Sequence, residues 1–420
     1  MDHIKVSVII PVYNVGNYLS ECLKSVVEQS LEGIEVICID DGSDDISWEI
    51  LCQYRQNYHN IILKKQKNQG AGAARNLGLT IARGEYVHFM DADDFYADKY
   101  ALEYMYQAAT RNDALIVGGK CLQYKNEKMI EIAEYNKYFE QEGYVSYSDF
   151  QESYLHWRFL FHLDMLKEHQ INYPLYKRYE DPLFLVRAML AAGKFYAIPK
   201  DIYVYRVGNK IKKYSKDIII DILTGIKDIL QLAKSNQLDM LVNYTVKELS
   251  ESYECKAAIF YHIYGGCTQI IDLIQQINST CNKEIISIED AFNNIVSSIE
   301  YKTQIEKKCS NKKVIIYGIG TIGNKVFDIL QKCHEIEIIG YAVTNKRKNI
   351  SKQYPVKKIE EYLPISEDTL IIVAVREESQ NEIKNHINTI IPGGINNVLM
   401  VESKKIDMIY LLQNNKEDDL

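Results

Sequence analysis

The sequence has no CxxC pair, no apolar run near the roughly 20 residues a membrane span needs, and no excess of basic charge. Its nine cysteines, at positions 22, 38, 52, 121, 255, 267, 281, 309 and 333, stand singly and are odd in number. They read as reduced thiols of a cytosolic protein rather than disulfides or a zinc site. No signal peptide precedes the first strand, which starts almost at once after Met1. The expected location is therefore cytoplasmic, with peripheral contact at the inner face of a membrane left open. The net charge of -8, from 57 acidic and 49 basic side chains, offers no general attraction to nucleic acid, which is excluded as a partner.

What is present is globular. The 420 residues are 47% hydrophobic and 25% charged, enough for two or three domains with cores of their own. Val6 to Val12 is an apolar run rich in β-branched residues, the pattern of a buried parallel strand. Leu19, Cys22, Leu23 and Val26 then recur at helical spacing. Strands follow at Ile34 to Ile39, Ile61 to Leu63 and Tyr86 to Met90, with a helix from about Ala71 to Ala82. Strand alternating with helix predicts a mostly parallel α/β sheet covered on both faces. In such sheets ligands gather at the carboxyl ends of the strands. The polar clusters Tyr13-Asn14, Asp40-Asp41 and Asp91 to Asp94 fall at those ends.

From about Asp217 to Lys307 the spacing is helical and reads as a linker, with one stripe through Ile219, Ile222, Leu223 and Ile226 and another through Ile259, Ile263, Ile270, Leu273 and Ile277. The hydrophilic tract Glu306 to Lys313 marks a boundary, and a new α/β unit opens at Val314. Its strands are expected at Val314 to Tyr317, Ile336 to Tyr341 and Thr369 to Val375, with a helix through about Lys332 and another after Ser379.

Two carboxylates at i and i+2 beyond a strand end, Asp91 and Asp93, can share one divalent cation; Mn²⁺ and Mg²⁺ suit oxygen ligands and leave positions for phosphate. Such a metal would neutralise charge on a departing diphosphate. By itself this short pattern is more often a solvated loop. Upstream, Asn68-Gln-Gly-Ala-Gly-Ala-Ala-Arg-Asn76 carries glycines into a helix start, where free N–H groups and the helix dipole can hold an anion and Arg75 can add a charge-assisted hydrogen bond.

Together with Val8 to Asn14, Asp40 to Asp44 and Phe89 to Asp94, this set resembles family 2 of the inverting glycosyltransferases, which have the GT-A fold. The resemblance spans roughly the first quarter of the chain. It implies that Pro11, Tyr13, Asn14, Asn68, Gly70 and Ala92 line a donor pocket for a nucleoside-diphosphate sugar, and that Asp41 meets the base, usually uracil. It implies Arg75 near the base or diphosphate, Asp91 on the ribose or metal shell, and Asp93 as main metal ligand. Tyr179-Glu180-Asp181-Pro182 resembles the family's Glu-Asp motif at a helix start, with Asp181 as the base that deprotonates the acceptor hydroxyl. Glu180 beside it would raise that carboxylate's proton affinity and face the acceptor. Trp157 and Arg158 resemble the acceptor-pocket segment of non-processive members, and Arg206 the arginine that meets diphosphate. The processive motif Gln-x-x-Arg-Trp is absent. The acceptor implied is a glycan or lipid-linked hydroxyl in bacterial surface-polysaccharide assembly.

Gly318-x-Gly320-x-x-Gly323 stands between a strand and a helix, as a dinucleotide fingerprint does, and resembles the small Rossmann-like domains attached to sugar-modifying enzymes. The acid expected after the second strand is missing, since Tyr341 to Asn345 is followed by Lys346-Arg-Lys348. A second nucleotide site, a regulatory role or an oligomer surface all remain open there. The domains expected are a GT-A domain over 1–215, a helical linker over 216–310, a Rossmann-like domain over 311–405 and an acidic tail over 406–420. Two other readings stay in view: a sugar-1-phosphate nucleotidyltransferase, which normally carries a glycine-rich loop where Pro11 to Asn14 stands, and a non-catalytic nucleotide-sensing scaffold.

Overall fold

The first strand shows why its run is largely apolar. Val6, Val8, Ile10 and Val12 point into one core and Ile9 into another, so both faces of the strand are buried. The computed structural model describes residues 3–125, 127–207, 214–251, 253–333, 336–344, 354–391 and 397–414, and within these the chain forms two units.

The first unit comprises residues 1–213 and 220–247. Its ten strands are β1 (Val6–Val12), β2 (Ile34–Asp40), β3 (Ile61–Lys65), β4 (Tyr86–Phe89), β5 (Phe95–Tyr96), β6 (Ile116–Lys125), β7 (Lys128–Glu131), β8 (Gly143–Ser146), β9 (Phe159–His162) and β10 (Lys194–Arg206). The sheet order is β3-β2-β1-β4-β9-β6-β10-β5, with β7 beside β6 and β8 beside β10. Strands β1 to β4 pair in parallel, as does β10 with β6, while β9 runs antiparallel between β4 and β6. The helix Gly16–Val27 buries Leu19, Cys22, Leu23 and Val26, the four residues at helical spacing. Parallel pairing brings the ends of β1, β2 and β4 to one edge, where Tyr13, Asp41 and Asp91 follow.

The second unit comprises 214–219 and 248–420. Five strands, β11 (Lys313–Tyr317), β12 (Glu337–Val343), β13 (Val356–Lys358), β14 (Thr369–Val373) and β15 (Val398–Met400), lie parallel in the order β13-β12-β11-β14-β15. That is the strand order of a doubly wound sheet.

This division differs from the expected one. The helical tract is not a body of its own, because 220–247 packs in the first unit and 248 onward in the second. The stripe drawn from Ile259 to Ile277 is two helices, Tyr253–Tyr264 and Thr268–Cys281, broken at Gly265 and Gly266, where Gly266 takes a φ of 78°. The hydrophilic tract is no boundary either: Ile305 and Cys309 of the helix Ile288–Cys309 enter the same core as Val314 and Ile316 of β11. The polar residues there are the solvent face of an amphipathic helix. The tail expected from 406 is the helix Ser403–Asn414 with Ile406, Met408 and Ile409 buried, while 415–420 lie outside the described residues. The basic run Lys346 to Lys348 lies outside them too. Among the described residues no helix is long and apolar enough to cross a membrane.

Candidate active site

Arg75 is the hub of the strand-end edge. It sits on the first turns of the helix Ala71–Ile81, buried to 3% exposure. Its Nη2 donates to Asp91 Oδ1 at 2.8 Å, and its Nη1 donates to Asp181 Oδ1 at 2.6 Å and to Glu180 Oε1 at 3.3 Å. Burial works against the guanidinium charge, but the carboxylates of Asp181 and Asp91 outweigh it and hold the group charged. Arg75 also lies over the Tyr173 ring at 5.1 Å, and Tyr173 stacks on Phe184 at 4.0 Å. Asn76 fastens the same segment, accepting from Tyr173 N at 2.8 Å and donating to Tyr173 O at 2.9 Å. Arg75, expected beside a base or diphosphate, thus bonds to three of the chain's own acids.

Glu180 and Asp181 open the helix Glu180–Ala192. Acids in a first turn meet the positive end of the helix dipole, and Pro182 is tolerated there because first-turn N–H groups have no helical partner. Tyr179 enters with φ 75°, turning the chain into the helix. The approach is braced from the helix Lys216–Ser235: Tyr176 Oη donates to Asp228 Oδ2, and Lys177 N to Asp221 Oδ2, both at 2.8 Å. Burial, then the neighbouring Asp181, pushes the Glu180 carboxyl up to about 7, with Arg75 opposing. Burial likewise raises Asp181 against the pull of Arg75. Asp181 nevertheless keeps 31% of its side chain exposed, so an external hydroxyl can reach it. Its Oδ2 lies 3.6 Å from Nδ1 of His156, a buried imidazole that burial holds neutral, with its pKa lowered to about 3. His156 carried no sequence signal beyond its place before Trp157.

The Asp91-Ala92-Asp93-Asp94 turn is held by β10. Tyr203 Oη accepts from Asp91 N at 3.0 Å and donates to Asp94 Oδ2 at 2.8 Å. Asp94 Oδ1 accepts from Arg206 N at 2.7 Å, and burial, reinforced by Asp91, raises its proton affinity. Arg206, expected on a diphosphate, donates through Nε to the Asp93 carbonyl at 2.8 Å and through Nη2 to Glu21 at 2.5 Å. It is a brace for the carboxylate turn. Ala92 is 4% exposed and part of the core, so its side chain cannot line a donor pocket.

The glycine loop is also occupied from within. Asp41 is 3% exposed; its Oδ1 accepts from Gln66 Nε2 and Gln69 N, and its Oδ2 from Gly70 N, all at 2.8 Å. The anion held by the loop is this carboxylate. Gly70 needs its φ of 92°, a conformation other residues rarely adopt. Asn14, at φ 50°, ties the end of β1 to the turn after β2 by donating N–H to Ser43 Oγ at 3.1 Å and accepting from Asp44 N at 2.9 Å. Tyr13 stands 50% exposed beside it, Pro11 is half-buried and Asn68 exposed.

Two expected acceptor residues are structural. Arg158 is fully buried, donating to Gly119 O, Tyr135 O and Asn136 Oδ1 and lying 3.8 Å over the Phe139 ring. Trp157 is 5% exposed and stacks on Tyr203 at 4.1 Å and Tyr205 at 5.7 Å. The ring of that stack that meets solvent is Tyr205, 39% exposed.

Among the described residues no group of three or more His, Cys, Asp or Glu is arranged to hold a metal. In the second unit, Gly318 has φ 117° and donates to Ala342 O at 3.0 Å, Gly320 precedes the helix Thr321–Leu330, and a Cβ on Gly323 would collide with Gly318 O. Gly323 thus permits the close approach of helix to loop.

Residues 7–164 match glycosyl transferase family 2. The chain is 32% identical over 243 residues to a poly(ribitol-phosphate) beta-glucosyltransferase of Bacillus spizizenii, covering 56% of this chain but 38% of that protein. It is 30% identical over 222 residues to glycosyltransferase GlyG of Streptococcus pneumoniae, covering 48% of this chain and 70% of that one. Among solved structures, S. aureus TarS residues 1–349 in complex with UDP-GlcNAc superpose with a TM-score of 0.53 at 22% identity, over 71% of this chain and 92% of theirs, a likeness of fold. On the match over 7–164 and the coverage of GlyG, the chain belongs to glycosyl transferase family 2.

Proposed function

We propose that the chain transfers a sugar from a nucleoside-diphosphate donor, UDP by preference, to a hydroxyl of a glycan or lipid-linked acceptor, inverting the anomeric centre. The observation that carries this is the meeting on one guanidinium of the two motifs the reaction needs: Asp91 from the donor side and Asp181 from the base side, both within 2.8 Å of Arg75. Asp181 takes the proton of the acceptor hydroxyl while the hydroxyl oxygen forms a bond to C1 of the sugar. The bond from C1 to the diphosphate oxygen breaks, and the nucleoside diphosphate leaves with the electron pair. Raised proton affinity makes Asp181 a better base than an exposed carboxylate. Arg75 keeps it ionised and aimed, and Tyr205 offers an exposed ring for a sugar face.

Mg²⁺ and Mn²⁺ commonly bind through one or two carboxylates plus substrate phosphates, so Asp91 and Asp93, in one turn after β4, are the residues that would hold such an ion. Asp91 would give the oxygen not engaged by Arg75, and the ion would supply Lewis-acid stabilisation of the departing diphosphate. The relative named for poly(ribitol-phosphate) glucosyl transfer favours an acceptor in surface-polysaccharide assembly, with one or a few sugars added per encounter. The Rossmann-like C-terminal unit would then be an accessory to this reaction.

The test is release of nucleoside diphosphate from a panel of sugar donors with Mn²⁺ and acceptor. Asp181→Asn is expected to lower kcat by about 10²–10⁴-fold while nucleotide binding persists, the usual contribution of a general base. Unchanged turnover in that variant would remove Asp181 from the mechanism.

A further inference from the structure

The second unit contains an open cleft of about 910 Å³ that the proposed reaction does not use. Three lysines line it from three separate stretches of chain: Lys216 at the start of the helix Lys216–Ser235, Lys302 on the helix Ile288–Cys309, and Lys332 just beyond the helix Thr321–Leu330. No aspartate or glutamate is among the described residues lining it, in a chain with more acids than bases. The charged side chains that line the cleft are therefore opposite in sign to the net charge of the protein. Between the lysines stand the rings of Tyr261 and Tyr264, against an aliphatic wall that includes Ile299 and Ile409. Tyr264 is 46% exposed and Ile299 44% exposed, so the rim is apolar as well as basic.

This cleft is not the glycine fingerprint. Gly318 to Gly323 stand at the amino end of the helix Thr321–Leu330 and Lys332 lies past its carboxyl end, about 15 Å away along a ten-residue helix.

Ammonium groups bind phosphate as point charges, and three lining one cleft from separate segments suit a doubly charged group. A neutral sugar would make no use of the lysine charges. An inorganic anion would leave the tyrosines and the aliphatic wall unused. We propose that the cleft binds an organic phosphate, with the phosphate on Lys216, Lys302 and Lys332 and the attached ring or polyol against Tyr261 and Tyr264. Lys302 also reaches Glu306 Oε1 at 3.3 Å, one helical turn on. A partly exposed pair of that kind contributes little, and a phosphate displaces it.

The experiment is calorimetric titration of the full chain with glucose 1-phosphate, inorganic phosphate and glucose, at low and high salt. Glucose 1-phosphate is expected to bind, more weakly as salt rises. Lys216→Gln with Lys302→Gln is expected to weaken it about tenfold or more, because two of the three ammonium groups that meet the phosphate are then neutral amides. Lys357→Gln on β13 serves as a control expected to bind as the wild type does. Thermal melts verify that each variant is folded, and the single Lys216→Gln stands in if the double variant melts early. Absence of binding, wild-type affinity in the folded lysine variants, or equal affinity for inorganic phosphate or glucose would each overturn the assignment. Because the readout is binding rather than turnover, a negative result here leaves the proposed transfer reaction standing, and the reverse holds as well.

Discussion

The loop before the helix Ala71–Ile81 and the loop before the helix Thr321–Leu330 both carry glycines between a parallel strand and a helix, yet they are used in different ways. In the first, the N–H groups of Gln69 and Gly70 are taken by the buried Asp41 carboxylate, so the loop is closed on the protein's own charge. In the second, Gly318 donates to the Ala342 carbonyl across the sheet, and a Cβ on Gly320 would meet nothing within 4 Å. The first unit goes further in the same direction, placing Asp91, Asp181 and Glu180 around the single guanidinium of Arg75. Its site is a network of internal ion pairs with more acid than base. A glycine-bearing turn at a helix start is thus a frame, and the side chains brought to it decide whether it holds a ligand or a carboxylate of its own.

The largest effect is expected where the closed loop is opened. Asp41→Ala removes the buried carboxylate and leaves one side-chain and two backbone donors without it in a partly buried setting, and should cost about 2–4 kcal/mol, read by denaturant unfolding of the first unit. A cost near zero would mean that the loop does not depend on its internal anion. Next comes the other loop: Gly323→Ala drives a methyl group toward Gly318 O and should cost about 1–3 kcal/mol. Gly320→Ala, its control, should stay within about 0.5 kcal/mol, and equal costs for the two would show the second loop to be as filled as the first. The smallest effect concerns the surplus acid. The folded chain holds Glu180 near 7, above its usual 4.5, so it favours the neutral form. Its contribution to stability is complete below about 4.5 and is lost as pH rises through about 7. Glu180→Gln should therefore stabilise the chain by about 1 kcal/mol at pH 8 and do little at pH 4, in melts at the two pH values.

Much of the sheet is legible in the sequence because burial on both faces leaves largely apolar runs, interrupted by a few buried polar residues such as Ser7, Glu35 and His88. Such runs give Val6–Val12 with its bounds, and the strands at 34, 61 and 86 to within two residues at their ends. The antiparallel insertion of β9 is not legible, since Phe159–His162 shows no pattern that tells a central antiparallel strand from a core segment. Helical spacing finds the helices of the middle tract but not their allegiance. Ile229 and Ala233 enter the core of the first unit, whereas Ile305 enters that of the second, and periodicity reports only that a face is buried.

At the site, strand order alone puts the acids at the correct edge, but it says nothing of where the arginines turn. Arg75, Arg158 and Arg206 are all expected to face substrate, yet each satisfies carbonyls or carboxylates of the chain. An arginine's charge is visible in sequence, but the choice of partner depends on which oxygens the fold brings within 3 Å. Tyr203, which holds Asp91 and Asp94 together, and His156, beside Asp181, come from segments distant in sequence from the residues they touch.

By itself, the sequence determined the alternation of strand and helix, the edge to which the polar clusters go, and the absence of a membrane-spanning helix among the described residues. These depend on burial periodicity and on the direction of parallel strands, both local properties of the chain. Only the tertiary structure decided that Asp41 fills the first glycine loop, that one guanidinium joins Asp91 to Asp181, and that three lysines from separate stretches of chain line one cleft. Each of these is a meeting of charges over long sequence separations, and electrostatic pairing is set by distance and burial, which no linear pattern contains.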